Sequence, residues 1–394
     1  MKKIDLRNAS SEIAGPKKIR EINRQIVLNY VRDLAPISRA EIARATNLQR
    51  STVSSIVDAL ERAELIEDIG TGDSTGGRKP NLLRIRTGNA VAIGIDVGPR
   101  ITTAAVADLA GQILAKKEFQ TLTDADRQSE KIIECVKRFA ETYKGNSLEV
   151  GLSVPGVADH ANSSVAYIPY FDWSDWDICK QIKAATGLKV TVDNDANAVA
   201  LAELWFGRDK IRKAQNFITV LVSEGIGTGI VFEGQVYRGE KGFAGEFGHM
   251  IVGKDAPVAC SCGSFECWEA FASNNATRAR YLNNVNGSGE NGKSVYAAAA
   301  EGNQKALDAV LETARFLGMG ISNLLSGLSP QAIVISGDIA EVWDLVVDEI
   351  RRSVEKGIRR ELPPSVITAS SLRNQPTLTG AVALVLAKKF ASAL

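Results

Sequence analysis

Apolar residues recur at helical spacing through the first segment of the chain. After a polar lead, "EINRQIVLNYVRDL" places Ile22, Ile26, Val27, Tyr30, Val31 and Leu34 on one face, which predicts an amphipathic helix. In "SRAEIARATNL", Ser38 followed by Glu41 has capping-box spacing and opens a short second helix. A turn around Thr46–Leu48 leads into "QRSTVSSIVDALERAEL", where Val53, Ile56, Val57 and Leu60 form the stripe of a third helix. "LIEDIGTGDSTGGRKPNLLRI" then reads as two short strands around a Gly/Ser/Thr-rich loop that ends in Arg78, Lys79 and Pro80. From Ala90 the pattern alternates strands and glycine turns. "VAIGIDVGPRITTAAVADLAGQILAKKEF" predicts strand, turn, strand, turn, strand, and "NFITVLVSEGIGTGIVFEGQVYRG" repeats the plan more than a hundred residues later. Each is followed by helical and strand-like segments, so the body reads as two related α/β lobes with a cleft between them. The predicted domains are residues 1–89, residues 90–205 joined by a C-terminal helix over 376–394, and residues 206–375.

The first segment is a helix-turn-helix pattern with a wing. The outward side of its third helix carries Gln49, Arg50, Ser51, Thr52, Ser54 and Ser55, side chains short or polar enough to meet phosphates and base edges in a major groove. Arg78 and Lys79 at the wing tip suit a phosphate backbone or a minor groove. Charge supports DNA as the partner. Residues 1–90 hold 16 Lys and Arg against 11 Asp and Glu, and the remainder holds 31 against 35, a basic head on a mildly acidic body.

The 394 residues exceed what one core usually organises, and 45% apolar with 24% charged residues is an ordinary globular composition. No apolar run approaches a bilayer span, and "MKKIDLRNASSEIAG" lacks a secretory apolar stretch, so a cytoplasmic protein without a membrane partner is expected. Five cysteines in a reducing compartment argue against a disulfide framework. Three of them sit in "GEFGHMIVGKDAPVACSCGSFECWE", after one of the chain's two histidines. His249, Cys260, Cys262 and Cys267 make an H-x10-C-x-C-x4-C set, four donors suited to a closed tetrahedral zinc site. With no open coordination position, that zinc would be structural. Cys135 and Cys179 lie elsewhere and read as structural residues.

Asn194 and Asp195, at the start of a predicted helix, and Glu246 and Glu269, flanking the cysteine cluster, are groups that take hydrogen bonds from polyols. Each also has a plain alternative: the first two could cap their helix and the glutamates could be solvated. Tyr167, Tyr170, Phe171, Trp173 and Trp176 crowd "YIPYFDWSDW"; one ring could stack on a sugar, and most are expected to pack a loop onto the first lobe.

"VDNDANAVALAE", together with "GEFGHM" and "CSCGSFECWE", resembles the ROK family of repressors and sugar kinases, and the N-terminal winged helix resembles its xylose-repressor and N-acetylglucosamine-repressor branch. The resemblance covers nearly the whole chain. It implies an α/β fold, a winged helix-turn-helix followed by a two-lobed actin/hexokinase-like body. It further implies that His249, Cys260, Cys262 and Cys267 hold zinc, that the second ring nitrogen of His249 contacts a sugar hydroxyl, and that Asn194, Asp195, Glu246 and Glu269 line the sugar pocket. Asp195 matches the base of the family's kinases.

The nucleotide-side turns depart from the kinase pattern. The first is Asp96-Val97-Gly98-Pro99-Arg100, where proline removes an N–H and the usual threonine is absent. The second falls on Ser223-Glu224-Gly225, a carboxylate where a phosphate should lie, and a like-charge contact at ~4 Å costs about 4 kcal/mol at an intermediate dielectric. The third is Ser336-Gly337-Asp338, and Arg100 remains a candidate phosphate ligand. The expectation is a repressor of carbohydrate-metabolism genes, a homodimer or homotetramer that binds operator DNA and a small sugar or sugar phosphate held between its lobes. The competing reading is an ATP-dependent sugar kinase with a fused DNA-binding domain; a regulator controlled by protein sequestration is a third.

Overall fold

The computed structural model describes residues 16–72, 79–88, 90–208, 211, 213–284, 294–359, 365–372 and 375–392. The head contains helices α1 (Pro16–Leu34), α2 (Arg39–Thr46) and α3 (Arg50–Arg62) and strands β1 (Ile37–Ser38), β2 (Ile66–Thr71) and β3 (Asn81–Ile85) in the antiparallel order β1-β3-β2. Ser38 and Glu41 form the expected capping box: the Glu41 N–H donates to Ser38 Oγ at 3.3 Å and Glu41 Oε2 accepts from the Ser38 N–H at 2.8 Å. Val53, Ile56, Val57 and Leu60 are all buried. In α1 the buried face is Val27, Leu28 and Val31, whereas Leu34, predicted on that face, is 54% exposed because the helix ends there and the chain turns away.

The body has two five-stranded sheets of the same design. The first joins β4 (Ala90–Val97), β5 (Ile101–Asp108), β6 (Ile113–Gln120), β7 (Ser147–Val154) and β11 (Lys189–Asn194) in the order β6-β5-β4-β7-β11. The second joins β12 (Phe217–Val222), β13 (Ile226–Phe232), β14 (Gln235–Tyr237), β15 (Ala332–Gly337) and β16 (Val366–Ala369) in the order β14-β13-β12-β15-β16. In both, three consecutive antiparallel strands carry two parallel strands on the side of the first, so the repeat seen in the sequence is a repeat of topology. A small antiparallel sheet of β8 (Val157–Asp159), β9 (Ser164–Ile168) and β10 (Trp173–Trp176) extends the first lobe.

Helices α4 (Ala125–Thr142) and α5 (Ile178–Thr186) cover the first sheet, and α7 (Trp268–Ala272), α8 (Asn274–Asn284), α9 (Val295–Ala300), α10 (Gln304–Leu328) and α11 (Trp343–Gly357) belong to the second lobe. Two helices lie deeper. α6 (Asp195–Phe206) is apolar on nearly every side, and such a helix must be covered all round. It packs on β12 and β13 of the second sheet and on the C-terminal helix α12 (Pro376–Ser392), which itself lies on β4 and β7 of the first. The α6–α12 approach is close because Gly380 has no side chain: a Cβ there would stand 2.6 Å from the Ala198 carbonyl carbon.

The head is packed onto this central layer. One apolar cluster runs from Val27, Val31 and Leu60 through Ala90 and Ala92 to Ala198, Leu201, Trp205 and Val382. At its edge the Arg32 guanidinium of α1 lies 4.2 Å from the ring centroid of Trp205, near the C-terminal end of α6.

Candidate ligand cleft, metal cluster and DNA-facing helix

β11 ends where α6 begins, and that junction supplies one wall of a cleft between the lobes. Asn194 caps α6, its Oδ1 accepting from the Ala196 and Asn197 N–H groups while its Nδ2 donates to the Gly156 carbonyl at 3.1 Å. Asn194 lines the cleft but its amide is used in holding the wall. Asp195, in the first turn, faces the open space. Burial, the neighbouring Asp96 carboxyl and Glu246 push its carboxyl up to about 7, and burial brings Asp96 to about 6.

The opposite wall comes from a 3-10 turn, Glu246–His249, and from α7. Gly245 starts that turn at φ +92°, and any Cβ there would sit 2.3 Å from the Thr228 carbonyl oxygen. Glu246, His249 and Glu269 line the cleft with Asn194 and Asp195, so the five residues singled out in the sequence share one space. Glu269 has two occupations. Its Oε1 accepts from the Ser261 N–H (2.9 Å), the Ser261 hydroxyl (2.8 Å) and the Cys260 thiol (3.0 Å), while Oε2 lies toward the Ile226 N–H at 3.4 Å. Burial raises the Glu246 carboxyl, and its neighbour Glu269 adds to the shift.

Behind this wall the donor atoms of His249, Cys260, Cys262 and Cys267 lie within 4.8 Å of one another, and all three thiols are free. Cys262 Sγ is 3.3 Å from Cys260 Sγ and 3.5 Å from Cys267 Sγ, and His249 Nδ1 is 3.1 Å from Cys260 Sγ. Sulfurs ~2.3 Å from one tetrahedral ion are roughly 3.8 Å apart, so the cluster has the size and donor chemistry of a metal site. The Ser264 backbone N–H draws the Cys262 thiol down to about 7, toward the thiolate a metal requires. With Nδ1 turned to the sulfurs, His249 presents Nε2 to the cleft, 3.6 Å from Glu246 Oε2. The cysteine loop and the cleft are thereby joined through two residues, His249 and Glu269.

The aromatic run divides as the chain turns. Trp173 and Trp176 are buried in the first-lobe core, and Phe171 stacks on Trp173 at 4.5 Å. Tyr167 is exposed and donates to Asp172 Oδ1 at 3.0 Å. Tyr170 lines the cleft, and burial with the surrounding carboxylates, Glu269 foremost, holds its phenol high and therefore neutral. Among the described residues no lysine or arginine lines this cleft. Three carboxylates and a phenol around one cavity accept and donate hydrogen bonds to a hydroxylated molecule and repel an anion.

On the head, Gln49, Arg50, Ser51 and Ser55 are exposed at the start of α3, and Thr52 and Ser54 are half-buried between them. Arg50 makes no ion pair with the described acidic residues, unlike Arg39, which is held by Asp58 (2.6 Å) and Glu61 (3.1 Å). Lys79, in the wing just before β3, is exposed; Arg78 lies outside the described residues.

Residues 92–388 match the ROK family, and residues 20–67 match a winged helix-turn-helix DNA-binding domain. The chain belongs to the ROK family. It is 31% identical to the xylose repressor of Bacillus spizizenii, over 93% of this chain and 96% of that protein. A crystal structure of a ROK family transcriptional regulator, a homologue of the E. coli MLC protein, superposes with a TM-score of 0.78 at 24% identity, covering 95% of this chain and 97% of that one. The body also superposes on a ROK glucokinase from Streptomyces griseus, solved with glucose and AMPPNP, with a TM-score of 0.65 at 31% identity, covering 74% of this chain and 98% of that one.

Two features of this ROK chain escape sequence reading. The buried Asp193 accepts from Arg238 Nε at 2.8 Å and Nη2 at 2.7 Å, an ion pair that joins β11 of the first lobe to the segment after β14 of the second. The chain's other histidine, His160, lies 3.4 Å from the same carboxylate and 3.0 Å from the Val192 carbonyl, and burial lowers its pKa. Isolated charges 45 positions apart carry no pairing signal. The second feature is Tyr170, whose chemistry was visible but whose separation from the packed tryptophans was not.

Proposed function

We propose that this chain is a sugar-responsive DNA-binding transcriptional repressor of carbohydrate-metabolism genes. The observation that carries the reading is the course of α6: it starts in the cleft at Asp195 and brings Trp205, in its last turn, against Arg32 of the head. Its 12 residues span about 18 Å at 1.5 Å per residue. A ligand that draws the lobes together displaces a helix on which the head rests. The energy available to shift the head equals the ligand's differential affinity for the two arrangements.

The sugar is held by Asp195, Glu246 and Glu269, which accept its hydroxyls, by His249 Nε2, and by Tyr170, with Asn194 fixing the wall. A cleft bounded by carboxylates without a cation takes an uncharged monosaccharide and rejects sugar phosphates. His249, Cys260, Cys262 and Cys267 would hold a structural zinc ion, and that ion would supply a fixed point from which His249 and Glu269 reach the sugar. Gln49, Arg50, Ser51, Thr52, Ser54 and Ser55 enter the major groove, with Arg78 and Lys79 of the wing on the backbone. A symmetric homodimer or homotetramer would set two such helices on a palindromic operator. The protein is a regulator rather than a kinase, in keeping with relatives named as repressors and with its altered nucleotide-side turns.

A thermal-shift panel of pentoses, hexoses, amino sugars and their phosphates tests the cleft, since a ligand of the native state raises the melting temperature with occupancy. Stabilisation by a neutral monosaccharide but not its phosphate is expected. Stabilisation by phosphates alone, or coupled ATP turnover on any of these sugars, would overturn the assignment.

A further inference from the structure

The three turns that depart from the kinase pattern meet in space. Arg100, at the β4–β5 hairpin of the first lobe, reaches across to Glu224, which follows β12 in the second, with Nη2 to Oε1 at 2.7 Å. Both sides are braced. The hairpin is tied by the Gly98 N–H to the Ile101 carbonyl (3.1 Å), the Thr121 N–H to the Arg100 carbonyl (2.9 Å) and the Thr121 hydroxyl to the Gly98 carbonyl (2.8 Å). The opposing turn is tied to α8, where the Asn274 N–H donates to the Ser223 carbonyl at 2.8 Å and Asn275 Nδ2 to the Glu224 carbonyl at 2.9 Å. Asn274 Nδ2 also donates to Asp338 Oδ2 at 2.8 Å, which brings the third turn into the same group. Burial raises the Asp338 carboxyl, against the pull of that amide and of the Arg100 guanidinium.

This arrangement disposes of the groups an anion would need. The Gly98 N–H is spent on Ile101, Pro99 has none, and the guanidinium is already neutralised. Arg100, a candidate phosphate ligand on sequence grounds, is instead the partner of the protein's own Glu224.

We propose that Arg100 and Glu224 form an interlobe clasp, so that closure around a sugar is held by charges of the protein itself and needs no nucleotide. The clasp rests on the reading of the cleft as a sugar site. Sugar and clasp then favour the same closed arrangement, and breaking the clasp weakens sugar binding without touching a residue that lines the cleft.

The test compares full-length wild type, Arg100→Glu, Glu224→Arg and the double exchange Arg100→Glu/Glu224→Arg. Small-angle scattering without ligand reads closure, and calorimetry with whichever of D-xylose, D-glucose and N-acetyl-D-glucosamine stabilises the wild type reads affinity. Each single variant is expected to show a larger radius of gyration and an affinity weaker by about five- to tenfold, the scale of losing a good exposed pair and adding repulsion. The double exchange is expected to restore both to near wild type, and the single-variant defects are expected to shrink at high salt. Single variants with unchanged scattering, or a double exchange no better than the worse single variant, would overturn the clasp. A wild type that binds none of the three sugars refutes the sugar reading, while the scattering comparison still decides the clasp.

Discussion

The substitution Asp195→Asn separates the two things this carboxyl does. In the folded chain without ligand its pKa is pushed from 3.8 up to about 7, by burial first and by Asp96 and Glu246 next. In the unfolded chain it ionises near its ordinary value. Below about pH 4 both states are protonated and the group contributes nothing. Between about pH 4 and 7 the unfolded state ionises while the folded state resists, so stability falls by about 1.4 kcal/mol per pH unit, roughly 4 kcal/mol in all, and is level above 7. An asparagine side chain cannot ionise, and it keeps an amide oxygen for the Ala196 N–H, which Asp195 Oδ1 accepts at 2.7 Å. The variant is therefore expected to be more stable than wild type near pH 8, by roughly 8 °C at about 2 °C per kcal/mol for a unit of this size, and to match it near pH 4. Taking the difference between the two proteins cancels raised carboxyls that do not interact with Asp195, such as Glu203, while relief of Asp96 and Glu246 adds to the variant's gain. Sugar hydroxyls donate to the ionised form, so wild type should bind sugar more tightly as pH rises toward 7, and the variant should bind weakly at every pH. Thermal unfolding across pH 4–8 and calorimetric sugar titration measure both. A variant less stable than wild type at pH 8, or a stability difference that does not change with pH, would refute the reasoning.

Three further substitutions address other parts of the molecule. Cys262→Ser should lower zinc from one ion per chain to none by elemental analysis and abolish stabilisation by sugar, while DNA binding by the head persists; full zinc and full sugar response would contradict a structural zinc at this cluster. Lys79→Ala should weaken DNA binding across sequences and reduce the slope of log affinity against log salt by about 1, as loss of one phosphate contact requires; an unchanged slope would remove Lys79 from the backbone. Arg32→Ala removes a cation–π contact worth about 0.5–2 kcal/mol and should leave sugar and DNA affinities near wild type while cutting the effect of one on the other, with Arg32→Lys intermediate; retained coupling would mean that the head is linked to the lobes elsewhere.

The head was readable because its residues obey one local period. The stripe Val53, Ile56, Val57, Leu60 and the Ser38–Glu41 box each depend on neighbours three or four positions away, and both appear as expected. Leu34 fails because the 3.6-residue period does not say where a helix loses its cover. The metal cluster was readable for a different reason: Cys260, Cys262 and Cys267 are close in sequence and rare in composition. Pairings across the cleft were not readable. Arg100–Glu224 and Asp193–Arg238 each join the two lobes, and the repeated sheet plan fixes which ends face each other only after both lobes are folded. The same holds for α6. An apolar helix must be buried somewhere, but the partners α12, β12 and β13 on its two sides decide that it lies between the sheets and reaches the head.

The central claim is that one chain couples a neutral sugar to DNA. Fluorescence anisotropy of a labelled fragment of the promoter beside its own gene, titrated with full-length protein at fixed salt, tests it directly when repeated with and without the stabilising sugar. The expected result is tight binding that weakens as salt rises and an affinity that changes in the presence of the neutral sugar but not of its phosphate. Equal affinity with and without every sugar that binds the cleft would contradict it.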